Sequence, residues 1–128
     1  MKIMKTNYKK EKKETVADGV YRIWLIYENM GAKNFFMRMF EIQPGKSTAP
    51  DRHPYEHEIF VVNGNGVVKI ENESVKVVAG DALYIAPNKK HSIENIDKNK
   101  VLQFLCIVPA SYRQYKRIGG RNGTDEKG

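Results

Sequence analysis

The sequence predicts a single all-β domain, a sandwich or barrel of short strands. Three observations point there. The chain has 128 residues, 41% of them hydrophobic, which suits one domain with a proper core and argues against intrinsic disorder. Runs rich in β-branched and aromatic residues recur at close spacing and are separated by Gly, Pro and Asn turns. Between residues 20 and 109 no convincing amphipathic helical period interrupts them.

In order, Val20 to Tyr27 (VYRIWLIY) reads as the first strand, and Glu28-Asn29-Met30-Gly31 as the turn after it. Phe35 to Ile42 (FFMRMFEI) is the second and stops at Pro44-Gly45. Glu58 to Val62 runs into Asn63-Gly64-Asn65-Gly66, a hairpin signal because Asn and Gly tolerate positive φ. Val67 to Ile70 and Val75 to Val78 flank a second hairpin turn at Glu71 to Ser74. Ala79-Gly80-Asp81 turns the chain into Leu83 to Ile85, which ends at Pro87-Asn88. His91 to Ile96 and Val101 to Val108 complete the set. The last of these is apolar at both parities, so both of its faces are expected to be covered, one by the core and one by a partner subunit or a terminal segment.

The net charge of +7 sits mainly at the ends. Residues 1–19 and 110–128 each carry +3, and the body between them only +1. A nucleic-acid reader concentrates its basic residues on one face of the domain, so specific nucleic-acid binding is not expected and the ends read as solvated. The chain therefore divides into a basic N-terminal extension (1–19), a folded barrel (20–109) and a basic, flexible C-terminal tail (110–128), with residues 1–15 and 117–128 loosely ordered. No apolar run reaches the roughly 18–20 residues of a membrane span, and residues 1–14 lack the apolar core of a signal peptide. The single cysteine, Cys106, can form neither an internal disulfide nor a thiolate metal cage. A cytoplasmic location is expected.

Chemistry concentrates on the three histidines, His53, His57 and His91. If the segment around the first two is extended, Asp51, His53 and His57 share a parity and project to one side. His91 comes from a separate segment, and two strands facing each other across a barrel would bring all four onto one ion.

The two segments resemble the paired motifs of the cupin superfamily. The first motif runs Gly, five residues, His-x-His, three or four residues, Glu, six residues, Gly. Gly45 and Gly64 close its ends here, Asp51 stands in the first histidine position and His53 in the second. The glutamate position falls on His57 with a three-residue gap or on Glu58 with a four-residue gap. The second motif runs Gly, five residues, Pro-x-Gly, two residues, His, three residues, Asn. Gly80, His91 and Asn95 match it, while Ala86 and Asn88 replace its Pro and Gly.

The resemblance covers about residues 20–109 and implies a double-stranded β-helix, a jelly-roll-like barrel. It implies one divalent metal ion (Mn, Fe, Co, Ni or Zn) held by His53, His57 and His91. Asp51 is the expected fourth ligand, or it faces away and leaves a water there. His57 is preferred to Glu58 because it shares parity with His53; a bend at Pro54 would reverse that choice. A metal-free cupin using the same cavity for a small molecule is the alternative. Paired strands of such barrels also imply a homodimer.

His53-Pro54-Tyr55-Glu56-His57 also spells H-x-x-E-H, a zinc-protease signature that works on a helix. The strand pattern that follows excludes it. Other candidates are Arg38, Tyr84 and Gln103. Arg38 shares parity with Phe36, Phe40 and Ile42, and serves either as an anchor for a substrate carboxylate or as an outward or mouth-lining residue paired with an acid. Tyr84 and Gln103 lie on strands beside the expected cavity, as hydrogen-bond donors or as rim. Trp24 reads as a core aromatic, and Asn95 as a backbone brace near His91. The function expected is that of a metal-dependent enzyme acting on a small, oxygen-rich, anionic substrate by dioxygenation, decarboxylation or isomerisation. A non-catalytic metal or small-molecule binder is the alternative.

Overall fold

The computed structural model describes residues 2–112. Among them are nine strands: β1 (Lys13–Ala17), β2 (Val20–Ile26), β3 (Phe35–Ile42), β4 (His57–Asn63), β5 (Asn65–Ile70), β6 (Glu73–Val78), β7 (Ala82–Ile85), β8 (His91–Asn95) and β9 (Leu102–Pro109). They form two antiparallel sheets, a six-stranded one ordered β1-β2-β3-β9-β4-β7 and a three-stranded one ordered β6-β5-β8. The all-β expectation therefore holds, with eight strands within a few residues of their sequence-based bounds.

The alternating side chains explain how the sheets close on each other. Along β9, Leu102, Phe104, Cys106 and Val108 are buried while the residues between them are half-buried. Phe104 stacks on Phe40 of the paired strand with ring centroids 5.4 Å apart. Val68, Val77 and Ile93 of the smaller sheet join the same core. Tight turns set the register. Gly64, between β4 and β5, has φ +96°, and a Cβ there would lie 2.6 Å from the carbonyl oxygen of Val101, so this position needs glycine for both conformation and space.

The expected looseness of residues 1–15 is corrected in part. Lys13–Ala17 pairs with β2 as an edge strand, with Glu14 opposite Arg22. Its sequence, KETVA, is too polar to announce a strand; Val16 and Ala17 pack half-buried against the core, and ion pairs flank them. Glu14 Oε1 lies 3.1 Å from Arg22 Nε, and Lys13 Nζ lies 2.8 Å from Glu41. Tyr8, in a short 3-10 turn (Tyr8–Lys10), packs with Ile23, Leu25, Met39 and Leu105 on the outer face of the large sheet. Tyr8 of the terminal segment and Leu105 of β9 thus pack against the same outer apolar cluster. The expectation for residues 117–128 lies outside the described residues.

Asn95 braces the turn as the sequence suggested. Fully buried, it donates to the carbonyls of Ile42 (2.9 Å) and Lys100 (2.8 Å) and accepts from the Asp97 amide (2.9 Å). No helix among the described residues is long and apolar enough to cross a membrane.

Candidate metal centre

The strand that carries His57 begins at that residue, so residues 52–56 are a loop and do not extend β4. Parity alone therefore does not place His53. Backbone ties do. The Asn88 amide donates to the His53 carbonyl at 2.7 Å, and Asn88 adopts φ +64° in the turn where the cupin motif has its glycine. Asp51 and His91 exchange both backbone hydrogen bonds at 2.9 Å. These contacts draw the loop against the start of β8. His57 pairs with Ile85 on β7 and points into the barrel.

The result is a cluster of three buried imidazoles, exposed by 4% (His53), 0% (His57) and 4% (His91). One ring nitrogen of each lies within 4.8 Å of the other two. His53 Nδ1 donates to the Tyr55 carbonyl (3.0 Å), and His91 Nδ1 donates to the Lys89 carbonyl (2.9 Å). A carbonyl only accepts, so each neutral ring carries its proton on Nδ1 and keeps the Nε2 lone pair for the centre. His57 Nε2 and His53 Nε2 are 2.9 Å apart. Two nitrogens each about 2.0–2.1 Å from one ion, at the right angle of octahedral coordination, stand about 2.9 Å apart, so the three-imidazole donor set suits a divalent ion and the His53–His57 pair stands at the spacing of adjacent ligands.

Burial lowers the His57 pKa well below the ordinary histidine value, helped by the positive charge of Arg38 and by the two neighbouring histidines. A neutral imidazole is the form that binds metal. His57 Nδ1 lies 3.1 Å from Cys106 Sγ, and Arg38 Nη2 lies 3.1 Å from the same sulfur. Burial pushes the Cys106 thiol up, against the pull of Arg38.

The remaining candidates fall in different places. Asp51 is buried, and its Oδ1 accepts the Arg52 amide at 2.8 Å; the group within 4.8 Å consists of the histidines and does not include it. Glu58 is exposed on the opposite face of β4 from His57. Arg38 is 1% exposed and points into the barrel, where no carboxylate among the described residues pairs with it, so the mouth-lining, acid-paired alternative does not describe it. Its guanidinium sits over the rings of Phe40 (5.0 Å), Tyr112 (5.5 Å) and Trp24 (5.6 Å). Burial lowers its pKa, but Cys106, Tyr112 and Tyr55, each able to carry negative charge, more than offset that and leave it raised. Tyr84 is 53% exposed, and contact with Glu56 raises its hydroxyl pKa. Gln103 lies on the outer side of β9 and donates to Glu41 at 2.7 Å. Neither therefore joins the histidines.

Three neighbours of the site were not singled out for it from the sequence. Tyr55 stacks on His53 with centroids 3.8 Å apart and planes 3° from parallel. Tyr112, fully buried, meets Tyr55 edge-on at 5.2 Å and stacks on Trp24 at 6.0 Å. Cys106 is the third. His53 and Tyr55 are two residues apart, which is the one local signal for Tyr55; nothing local marks the other two.

The family profile described as Cupin domain matches residues 38–108, which span β3 to β9 and contain all three histidines. This chain is a cupin. Over 90% of its length it is 35% identical to an uncharacterized protein of Methanocaldococcus jannaschii, of which the match also covers 90%. The cupin is 30% identical over 71% of its length to the tetracenomycin polyketide synthase protein TcmJ of Streptomyces glaucescens, covering 64% of that protein. The polyketide cyclase RemF of Streptomyces resistomycificus superposes on 85% of this cupin and 80% of its own chain, at 25% identity and a TM-score of 0.77.

Proposed function

We propose that this cupin holds one divalent metal ion through His53, His57 and His91, with Asp51 as candidate fourth ligand, and is an enzyme acting on a small, oxygen-rich, anionic substrate. Enolisable keto compounds are the first class to test; dicarboxylates and keto sugars follow. The observation that carries this reading is the convergence of three buried imidazoles with Nε2 atoms turned inward. A bound ion would supply Lewis acidity to a substrate carbonyl or carboxylate oxygen. The chain supplies the rest. Carbonyl-anchored Nδ1 protons fix two ligand rings, and Tyr55, stacked on His53, packs edge-on against Tyr112, which stacks on Trp24, so an aromatic cluster holds the His53 ring in place. The polyketide names of two relatives favour keto substrates over sugars.

Protein purified without nickel resin is expected to carry close to one ion of Mn, Fe, Co, Ni or Zn per chain, measured by elemental analysis. The Mn- and Fe-loaded forms should then turn over a β-diketone, 2-keto acid, catechol, dicarboxylate or keto sugar, followed by isomer formation, oxygen uptake or CO2 release. Binding of such anions with no turnover above the free ion would replace the enzyme by a non-catalytic binder. A chain that takes up none of the five metals would sink the metal reading.

We also propose a homodimer through the outer face of the large sheet. Phe35, Phe60 and Val62 are 66%, 47% and 41% exposed there, on strands that flank the half-buried outward residues of β9. Light scattering at micromolar concentration should give twice the chain mass, and Phe60→Glu should halve it; a wild-type monomer refutes the assembly.

A further inference from the structure

The hydrogen bonds around His57 fix where its proton must sit, and that position conflicts with metal binding. His53 spends its one N–H on the Tyr55 carbonyl, so the 2.9 Å contact between the two Nε2 atoms needs its proton from His57. A neutral His57 with Nε2–H has a bare Nδ1, which then accepts from the Cys106 thiol at 3.1 Å. An ion at the centre takes the Nε2 lone pair, and the ring proton must then sit on Nδ1, facing the same sulfur. A thiol both donates and accepts, so Cys106 can satisfy either tautomer. A serine hydroxyl shares that property; a methyl group does not.

We infer that Cys106 is a positioning residue for His57 that serves both tautomers, donating to Nδ1 in the ion-free site and accepting Nδ1–H in the loaded one, with Arg38 holding the sulfur in place. This rests on the metal reading above. The exchange balances: the imidazole loses the proton at Nε2 and gains one at Nδ1, the thiol turns its own hydrogen away, and the net proton count does not change. The ring need move little: two nitrogens about 2.0–2.1 Å from an ion stand about 2.9 Å apart at a right angle and about 3.3 Å apart at the tetrahedral angle of zinc, against 2.9 Å for the direct N–H···N bond. Arg38 suits the task of fixing the sulfur. Its Nη2 donates at 3.1 Å, its own position is clamped over three aromatic faces, and its Nε, buried without a hydrogen-bond partner, leaves no competing acceptor to draw it away. Cys106 is fully buried, so no water competes for the sulfur.

The test is nitrogen-15 NMR of the full chain, reading the His57 tautomer without and with zinc, beside zinc affinity by chelator competition. The wild type should show Nε2–H without zinc and Nδ1–H with it. Cys106→Ala should bind zinc about 10–100-fold more weakly, the usual effect of removing a partner of a metal-ligating histidine. Cys106→Ser should recover most of the affinity, and Arg38→Met should weaken it in the same direction. A wild type with the Nδ1–H tautomer in both states, or a folded Cys106→Ala with unchanged zinc affinity, overturns the inference and leaves the metal reading intact. Failure of the wild type to bind zinc overturns both. Should the alanine variant not fold, the wild-type tautomers and the serine variant decide.

Discussion

His57→Ala is expected to strip the protein of most of its metal while leaving the barrel folded. His57 is the fully buried member of the cluster, and its Nε2 stands at ligand-pair distance from His53. Removing a partner that merely orients a ligand costs about 10–100-fold in affinity; removing the ligand itself should cost at least about 100-fold. Alanine also leaves Cys106 and Arg38 facing a void, so some stability goes with it. Elemental analysis should show the metal per chain falling from near one to a small fraction, with the far-ultraviolet β signature retained. Asp51→His, by contrast, should keep the metal and change its affinity for anionic chelators. Full metal content in His57→Ala would remove His57 from the ligand set.

The second large effect is acid sensitivity of the ion-free protein. Burial, then Arg38, His53 and His91, hold the His57 pKa well below its ordinary value, and Cys106 faces its other nitrogen. In the unfolded chain the same imidazole protonates near pH 6.5. Below that pH the unfolded state binds one more proton than the folded one, so stability falls as pH falls. The loss is about 1.4 kcal/mol per pH unit for this one group, continues down to the folded pKa, and is absent above about pH 7. Urea unfolding at several pH values between 5 and 8 measures it. The His57→Gln variant should show a shallower slope, and an identical slope would show that other groups carry the effect.

How much of this was legible in the sequence depended on whether the information was local. The strands from Val20 onward announced themselves through runs of β-branched and aromatic residues ended by Gly, Pro and Asn, and the all-β architecture followed. β1 did not, because an edge strand that sets only Val16 and Ala17 against the core, beside the Glu14–Arg22 and Lys13–Glu41 pairs, has too short an apolar pattern to read. Motif spacing marks the histidines, but shared parity would place His53 only if residues 51–57 were extended. A loop stands there, and the Asn88 and Asp51 backbone contacts do the placing. As a lone cysteine, Cys106 signals in the sequence only that an internal disulfide and a thiolate metal cage are excluded. Its meeting with His57 and Arg38 is a long-range fact of strand order, with β9 inserted between β3 and β4, and no local pattern encodes it.

That insertion also bears on biosynthesis. β9 is the last described strand in the chain, yet it lies in the middle of the large sheet. As the chain emerges from the ribosome, β1-β2-β3 can form a meander and β5-β6 a hairpin, but β3 and β4 have no common neighbour until residues 102–109 appear. Until then Phe36, Phe40 and Ile59 lack the strand that covers them, and the nascent protein exposes two unpaired sheet edges. Vectorial synthesis thus leaves closure of the barrel to a late, non-local event, so folding should be slow for a chain of this size and most exposed to aggregation just before residues 102–109 are released.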